Sequence, residues 1–239
     1  MIRFAICFSS VFFSYPLLGG ADWEQIYRSQ WANHFLKDQS NGTLTGLNQQ
    51  HFSTESDRTD FVFACPGDSF MIGLSSEAQE RPYDRQFRFH CVFLADRETK
   101  GRIEKTQKSC DDIPQAPYDS QQNPWPQTYQ TKPGGSPGEV LACEKGKAFQ
   151  GVASALYLDI DKDDRLYQAT CCGMNQYQIA PIGDSCTRSQ ILGGESKSFH
   201  YQCPENTLVT QIETAYNKSN QDRTFQVTCC PLLPVPPSP

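Results

Sequence analysis

Several things are scarce in this chain of 239 residues, and each scarcity removes a class of function. Beyond Leu18 no stretch is apolar enough to cross a bilayer, which takes roughly 20 apolar residues. Lys and Arg number 21 against 27 Asp and Glu, a net charge of −6, so the chain lacks the basic excess that neutralises phosphates in nucleic-acid binding. The four histidines are His34, His51, His90 and His200, and none stands in a His-Glu-X-X-His arrangement. There is no Gly-X-Ser-X-Gly elbow, no glycine-rich phosphate loop and no zinc-site spacing. These absences point away from catalysis, from a cofactor, from a resident metal and from membrane insertion.

What is present bears the marks of the secretory route. Arg3, the apolar run Phe4 to Leu18, and the small residues Gly19 and Ala21 read as a signal peptide over residues 1–21. Its removal takes away Arg3 and no acidic residue, which moves the net charge from −6 to −7. Cys7 leaves with it, and ten of the 11 cysteines remain. An even number in a secreted chain reads as a disulfide framework. Two Asn-X-Ser/Thr acceptors, Asn41-Gly-Thr43 and Asn217-Lys-Ser219, agree with that route. The expected location is the extracellular space.

The organisation is a repeat written three times. One segment runs from Cys65 to Asp84-Arg85-Gln-Phe87-Arg-Phe-His-Cys91. A second runs from Cys143 to Asp164-Arg165-Leu-Tyr167-Gln-Ala-Thr-Cys171-Cys172, and a third from Cys203 to Asp222-Arg223-Thr-Phe225-Gln-Val-Thr-Cys229-Cys230. The Cys-to-Cys separations are 26, 28 and 26, and each segment ends in an Asp-Arg-X-aromatic-X-X-X-Cys box. The repeats are bounded at about 22–92, 93–172 and 173–230. Period-2 alternation, as in Phe225, Val227 and Cys229 against Thr224, Gln226 and Thr228, makes each segment a β-hairpin. A further strand is expected before each opening cysteine, at Phe61 to Ala64, Glu139 to Ala142 and Lys197 to Gln202.

Alternation also restricts the cysteine pairing. Adjacent Cys171 and Cys172 point to opposite faces of a strand and need different partners. Cys171 takes Cys143, its hairpin mate, and Cys172 takes Cys110; likewise Cys229 takes Cys203 and Cys230 takes Cys186. The first unit has Val92 in place of a second cysteine and no mature cysteine before Cys65, so it keeps only Cys65–Cys91. Each bridge is expected to stabilise by about 2–4 kcal/mol.

The same parity puts Arg85, Arg165 and Arg223 on the face of the core residues, where a guanidinium must be paired. Asp84, Asp164 and Asp222, backbone carbonyls of a neighbouring turn, and stacking on aromatics are the candidate partners. The box residues, with Phe87, Tyr167 and Phe225, are therefore read as fold-locking before ligand-binding. Asp159-Ile-Asp161-Lys-Asp163 begins like a calcium loop but has Asp164 where the turn glycine belongs and Thr170 where the bidentate Glu belongs, so it is read as an acidic hairpin tip. Arg97, Lys100, Arg102, Lys105 and Lys108 form a local basic stretch suited to a polyanion such as a sulfated polysaccharide, or else a solvated loop. Residues 111–138 hold six prolines and read as an insertion. Residues 231–239 hold five and read as a disordered or polyproline-like tail.

The Cys-Pro opening, the Asp84-Arg-Gln-Phe-Arg-Phe-His-Cys91 box and the double cysteines resemble the dermatopontin family over Phe61 to Cys230, with Phe87, Tyr167 and Phe225 where that family has Trp. The resemblance implies a non-enzymatic protein of extracellular-matrix association, cell adhesion or carbohydrate-dependent agglutination. Its partners would be matrix proteins, glycosaminoglycans or cell-surface glycans. Three hairpins too small to fold alone suggest a shared core in a pseudo-threefold all-β body of β-prism or β-trefoil kind. An alternative to the matrix reading is a multivalent lectin-like agglutinin of innate immunity.

Overall fold

The computed structural model describes residues 21–28, 61–79, 84–96, 103–106, 110, 138–159, 162–175, 177–183 and 185–235. Among them the chain is all β, with no helix. The strands are β1 (Ala21–Arg28), β2 (Phe61–Ala64), β3 (Phe70–Gln79), β4 (Asp84–Asp96), β5 (Lys105–Thr106), β6 (Glu139–Ala142) and β7 (Ala148–Asp159). They continue with β8 (Lys162–Met174), β9 (Tyr177–Ile179), β10 (Thr187–Arg188), β11 (Leu192–Gly193), β12 (Phe199–Gln202), β13 (Thr207–Asn217) and β14 (Asp222–Pro234).

Three long antiparallel hairpins, β3–β4, β7–β8 and β13–β14, carry the three boxes. The short strand that opens each unit does not pair with its own hairpin. Instead β2 lies on β7, β6 on β13 and β12 on β3, so each unit lends a strand to another. The result is three open sheets, ordered β1-β4-β3-β12, β2-β7-β8-β5 and β10-β14-β13-β6, with β9 and β11 also on β14. An isolated two-stranded hairpin is marginal in water. The lent strand gives each hairpin a third strand and ties the units into one body.

Each lending seam is set by a β-bulge. The register of the first hairpin strand slips between Met71 and Gly73, between Phe149 and Gly151, and between Val209 and Gln211. The extra residue turns its carbonyl toward an opening cysteine of another unit: Cys203 N–H donates to Ile72 O at 2.7 Å, Cys65 to Gln150 O at 2.7 Å, and Cys143 to Thr210 O at 3.0 Å. At the two tighter seams the next residue is glycine, because a Cβ on Gly73 would overlap the carbonyl oxygen of Tyr201 and one on Gly151 would sit 2.5 Å from that of Phe63. The bulge also resets parity. Met71 and Leu74, Phe149 and Val152, and Val209 and Ile212 thereby face the same core despite a spacing of three.

The described residues form two cores. The larger gathers side chains from all three units, among them Phe61, Phe63, Leu74, Phe87, Phe89, Leu141, Phe149, Tyr167, Ile212, Phe225 and Val227. The second lies on the opposite face of the hairpin bases and holds Phe70, Ile72, Val92, Leu94, Ile103, Met174, Tyr177, Ile179, Leu208 and Leu232. Cys171 and Cys229 enter the first core, and their neighbours Cys172 and Cys230 enter the second, as opposed side chains on a strand must. The five disulfides are Cys65–Cys91, Cys143–Cys171, Cys203–Cys229, Cys110–Cys172 and Cys186–Cys230, the pairs that alternation and the repeat give.

Two expectations need correction. The tail is not free of regular structure from Pro231 onward. β14 continues to Pro234, and Leu232, Leu233 and Pro234 pair with Ile179, Gln178 and Tyr177 while Leu232 is buried in the second core. Proline is tolerated because this stretch lies at the end of a strand. The third opening strand begins at Phe199 instead of Lys197, because a turn with positive φ at Gly194, Glu195 and Ser196, closed by Lys197 N–H on Gly194 O, occupies the preceding residues.

Candidate functional site

The box residues converge where the three hairpins meet. Arg85 of the first unit donates through Nε and Nη2 to Asp222 of the third, at 2.6 and 2.7 Å. Arg223 of the third donates in the same bidentate way to Asp164 of the second, at 2.6 Å for both bonds. Each of these aspartates also caps its own strand, accepting from the backbone N–H of Arg223 at 2.8 Å and of Arg165 at 2.7 Å. The carboxylate pairs of Arg85 and Arg223 therefore bridge between units, while Arg165 Nη1 donates to Ser154 Oγ at 3.4 Å and Arg223 Nη1 to Thr214 Oγ1 at 3.3 Å within their own hairpins. Sequence parity gave their inward direction, but the partner's unit is a tertiary fact.

The remaining donors are met by the opening strands and their approaches. Arg85 Nη1 donates to Lys197 O at 3.1 Å, and its guanidinium stacks over Phe199, the first residue of β12. Arg165 stacks over Phe61, the first residue of β2. Arg223 meets Glu139 at the corresponding place in β6, with Nη1 3.0 Å from Oε2. Burial works against the charge on Arg223, but the hydrogen bonds and attraction of Asp164 outweigh it, and the guanidinium is held more firmly protonated than usual. Below this layer Phe87, Tyr167 and Phe225 meet edge-on, with centroid separations of 5.8, 5.6 and 6.0 Å.

This layer is closed. Arg85, Asp164, Arg165, Asp222 and Arg223 are all buried, as are the three aromatics. No ligand reaches them without opening the fold, and the chemistry of the layer is that of a clamp. A buried, hydrogen-bonded pair of this type is costly to break by removing one partner, about 3–5 kcal/mol.

The other residues singled out from the sequence are not brought to this layer. Asn217 ends β13 on an exposed hairpin tip, where its side-chain oxygen accepts from Ser219 N–H at 3.0 Å and Oγ at 2.7 Å. Residues 1–20, Asn41, Arg97, Lys100, Arg102, Lys108, the insertion over 111–137 and residues 236–239 lie outside the described residues. For Asp84, Lys105 and the acidic tip Asp159 to Asp163, the side chains lie outside them as well.

One polar cluster escaped sequence reasoning. On the face of the first sheet away from the large core, Ser75 Oγ is hydrogen-bonded to His90 Nε2 at 2.8 Å and to His200 Nδ1 at 2.8 Å. The two imidazoles meet edge-on with centroids 4.8 Å apart. His90 is buried on β4 of the first unit, and His200 comes from β12 of the third. They lie 110 residues apart in sequence, and only the lent strand brings them together.

Comparison with curated proteins and with solved structures finds no match. Comparison with family profiles matches residues 138–234 to the family described as Dermatopontin. The match begins just before β6 and ends at the last residue of β14, so it spans the second and third hairpins and includes the strand-forming Pro231 to Pro234. The first hairpin, which carries the same box and bulge, lies before it. Over residues 138–234 this chain is similar to the dermatopontin family.

Proposed function

We propose that this protein is a secreted, non-enzymatic extracellular-matrix or adhesion protein that binds proteoglycan, collagen or cell-surface partners. The observation that carries the reading is the similarity of residues 138–234 to the dermatopontin family. Five disulfides in 239 residues support an oxidising, extracellular location. Arg97, Lys100, Arg102, Lys105 and Lys108 are the contact proposed for sulfated chains.

The architecture proposed with it is pseudo-threefold and prism-like. Its support is the near-equilateral triangle of Phe87, Tyr167 and Phe225, the cyclic lending of β2, β6 and β12, and the cyclic sense of the Arg85–Asp222 and Arg223–Asp164 pairs. The agglutinin alternative draws on three repeated units, which would raise avidity through multivalency. It is weakened because the three box aromatics are buried and unable to stack on a sugar.

The test is binding of the oxidised protein to arrayed sulfated and neutral glycans and to immobilised collagen and fibronectin, at low and high salt and with EDTA. The matrix reading expects binding to sulfated chains that falls with salt, or binding to a matrix protein. Salt-resistant binding to neutral sugars would replace it with the agglutinin. Binding to none of these surfaces would sink both.

A further inference from the structure

We propose that Cys186–Cys230 is a reducible latch, which a dithiol outside the cell opens to free the flank Ser185–Ile191 from the edge of β14. Three observations carry it. The flank has little else to hold it. β10 pairs two residues with β14, Thr187↔Cys229 and Arg188↔Thr228. Beside them Ser189 donates its N–H to Val227 O at 2.8 Å, and accepts from Val227 N–H at 3.0 Å and from Gln226 Nε2 at 2.7 Å. Arg188 pairs with Glu213, but both side chains are partly exposed, where an ion pair contributes little. Ser185, Thr187, Arg188, Gln190 and Ile191 are exposed, so the apolar group that this flank sends inward is the sulfur of Cys186, packed against the second core. At the other short flank Ile103, two residues before β5, is buried in the same core and anchors β5 besides Cys110.

The second observation is the unequal exposure of the two sulfurs. Cys186 is half-buried between exposed neighbours, and Cys230 is fully buried. Cys65–Cys91 and Cys203–Cys229 are buried at both ends. Cys143 is half-buried too, but its bridge closes a hairpin held in register from Ala148↔Cys172 to Asp159↔Lys162, so its reduction frees no segment. The third observation is a donor for the leaving sulfur. Thr210 Oγ1 lies 3.2 Å from Cys230 Sγ. The equivalent bulge residue beside Cys172 is Gln150, whose amide is committed to Cys65 O at 2.6 Å. A buried sulfur leaves poorly as an anion unless a hydrogen-bond donor meets it.

The exchange runs as two displacements. A thiolate of the dithiol attacks Cys186 Sγ, the Cys186–Cys230 bond breaks, and the electron pair leaves on Cys230 Sγ, facing the Thr210 hydroxyl, to be protonated to the thiol. The second thiol of the reductant then displaces Cys186 from the mixed disulfide. Two electrons and two protons pass to Cys186 and Cys230, and the dithiol becomes a disulfide. Opening is local, because both ends of the flank stay fixed. Ala180 N–H is bonded to Pro231 O at 2.9 Å, and Leu192 is buried in the large core. The segment between them bows out and uncovers the edge of β14 from Val227 to Cys229, and an uncovered strand edge is a pairing template. The turn that serves the Arg85–Asp222 pair lies beyond Leu192, so the clamp stays closed.

The test is timed reduction of the folded, oxidised protein with dithiothreitol, with alkylation at each time, a second label after full reduction, and mass spectrometry of the cysteine peptides. The latch expects Cys186 to be labelled at least about tenfold faster than Cys65 and Cys203. In the double variant Cys186→Ser with Cys230→Ala, hydrogen exchange at the amides of Ser189 and Val227 should speed up while those of Leu192 and β13 keep their protection. Thr210→Val should slow the labelling of Cys186 several-fold, and Thr210→Ser, which keeps the hydroxyl, should restore it. Labelling of Cys186 no faster than of the buried pairs, unchanged exchange in the double variant, or equal rates in the two Thr210 variants would overturn it. The extracellular reading decides only where the reductant is met, and the outcome does not depend on whether a matrix ligand is found.

Discussion

The first hairpin and the other two secure their outer flanks by different means. In the second and third units the flanking strands β5 and β10 pair only two residues each with β8 and β14. Strands that short do not hold themselves. Each has a disulfide beside it, Cys110–Cys172 or Cys186–Cys230, with Cα atoms 4.0 and 4.3 Å apart. In the first unit the flank is β1, which pairs with β4 from Ala21↔Asp96 to Arg28↔His90, and the position of the second cysteine is the buried Val92. A long hydrogen-bonded register and an apolar side chain stand where a covalent bond stands elsewhere. A covalent link fixes a short loop, and a strand fixes itself if it is long enough to repay its own ordering.

The largest test of whether the units are nonetheless equivalent is at the clamp. Asp222→Asn leaves the buried Arg85 without its carboxylate and should cost about 3–5 kcal/mol, and Asp164→Asn should cost the same through Arg223. Chemical denaturation under oxidising conditions reads both. Losses that differ several-fold would show that the two links are not counterparts.

Next comes an attempt to convert one flank into the other. Cys186 precedes Thr187, the register partner of Cys229, so it lies opposite Cys230; Ile26 lies opposite Val92 in the same sense. The pair Ile26→Cys and Val92→Cys should form a sixth disulfide and stabilise by about 2–4 kcal/mol. Thiol titration and the unfolding midpoint decide it, and two persistent free thiols would show that β1 is not the counterpart of the disulfide-tied flanks.

The seams give a smaller effect. Gly73→Ala and Gly151→Ala each press a methyl group on a backbone carbonyl of the lent strand and should cost about 1–3 kcal/mol. The third seam already holds Gln211, and its Cys143–Thr210 bond is longer, 3.0 Å against 2.7 Å at the other two. Gln211→Ala should therefore be close to neutral. The smallest change is expected for Lys197→Ala. The Lys197 carbonyl serves Arg85, but its exposed ammonium pairs only with exposed Glu195, so the unfolding midpoint should not move.

Much of this molecule is written in its local pattern. The Cys-to-Cys spacing marked the three hairpins, the adjacency of Cys171 and Cys172 forced them toward different partners, and the strand parity of Arg85, Arg165 and Arg223 sent them inward. The opening strands Phe61 to Ala64 and Glu139 to Ala142 were legible with their bounds. Pro231 to Pro234 was misread because proline argues against a strand only where a neighbour needs its N–H, and the pairing with β9 that decides this is not local.

The sequence by itself determined what depends on a period of two and on near neighbours along the chain: strand, face, hairpin and cysteine partner. Only the tertiary structure decided which unit receives each opening strand, which unit's aspartate receives each arginine, and that His90 meets His200. Those outcomes rest on contacts between residues 59, 110 and 137 positions apart. No periodicity reports such contacts, because the free energy that selects them comes from closing a shared core and not from any segment's own preference.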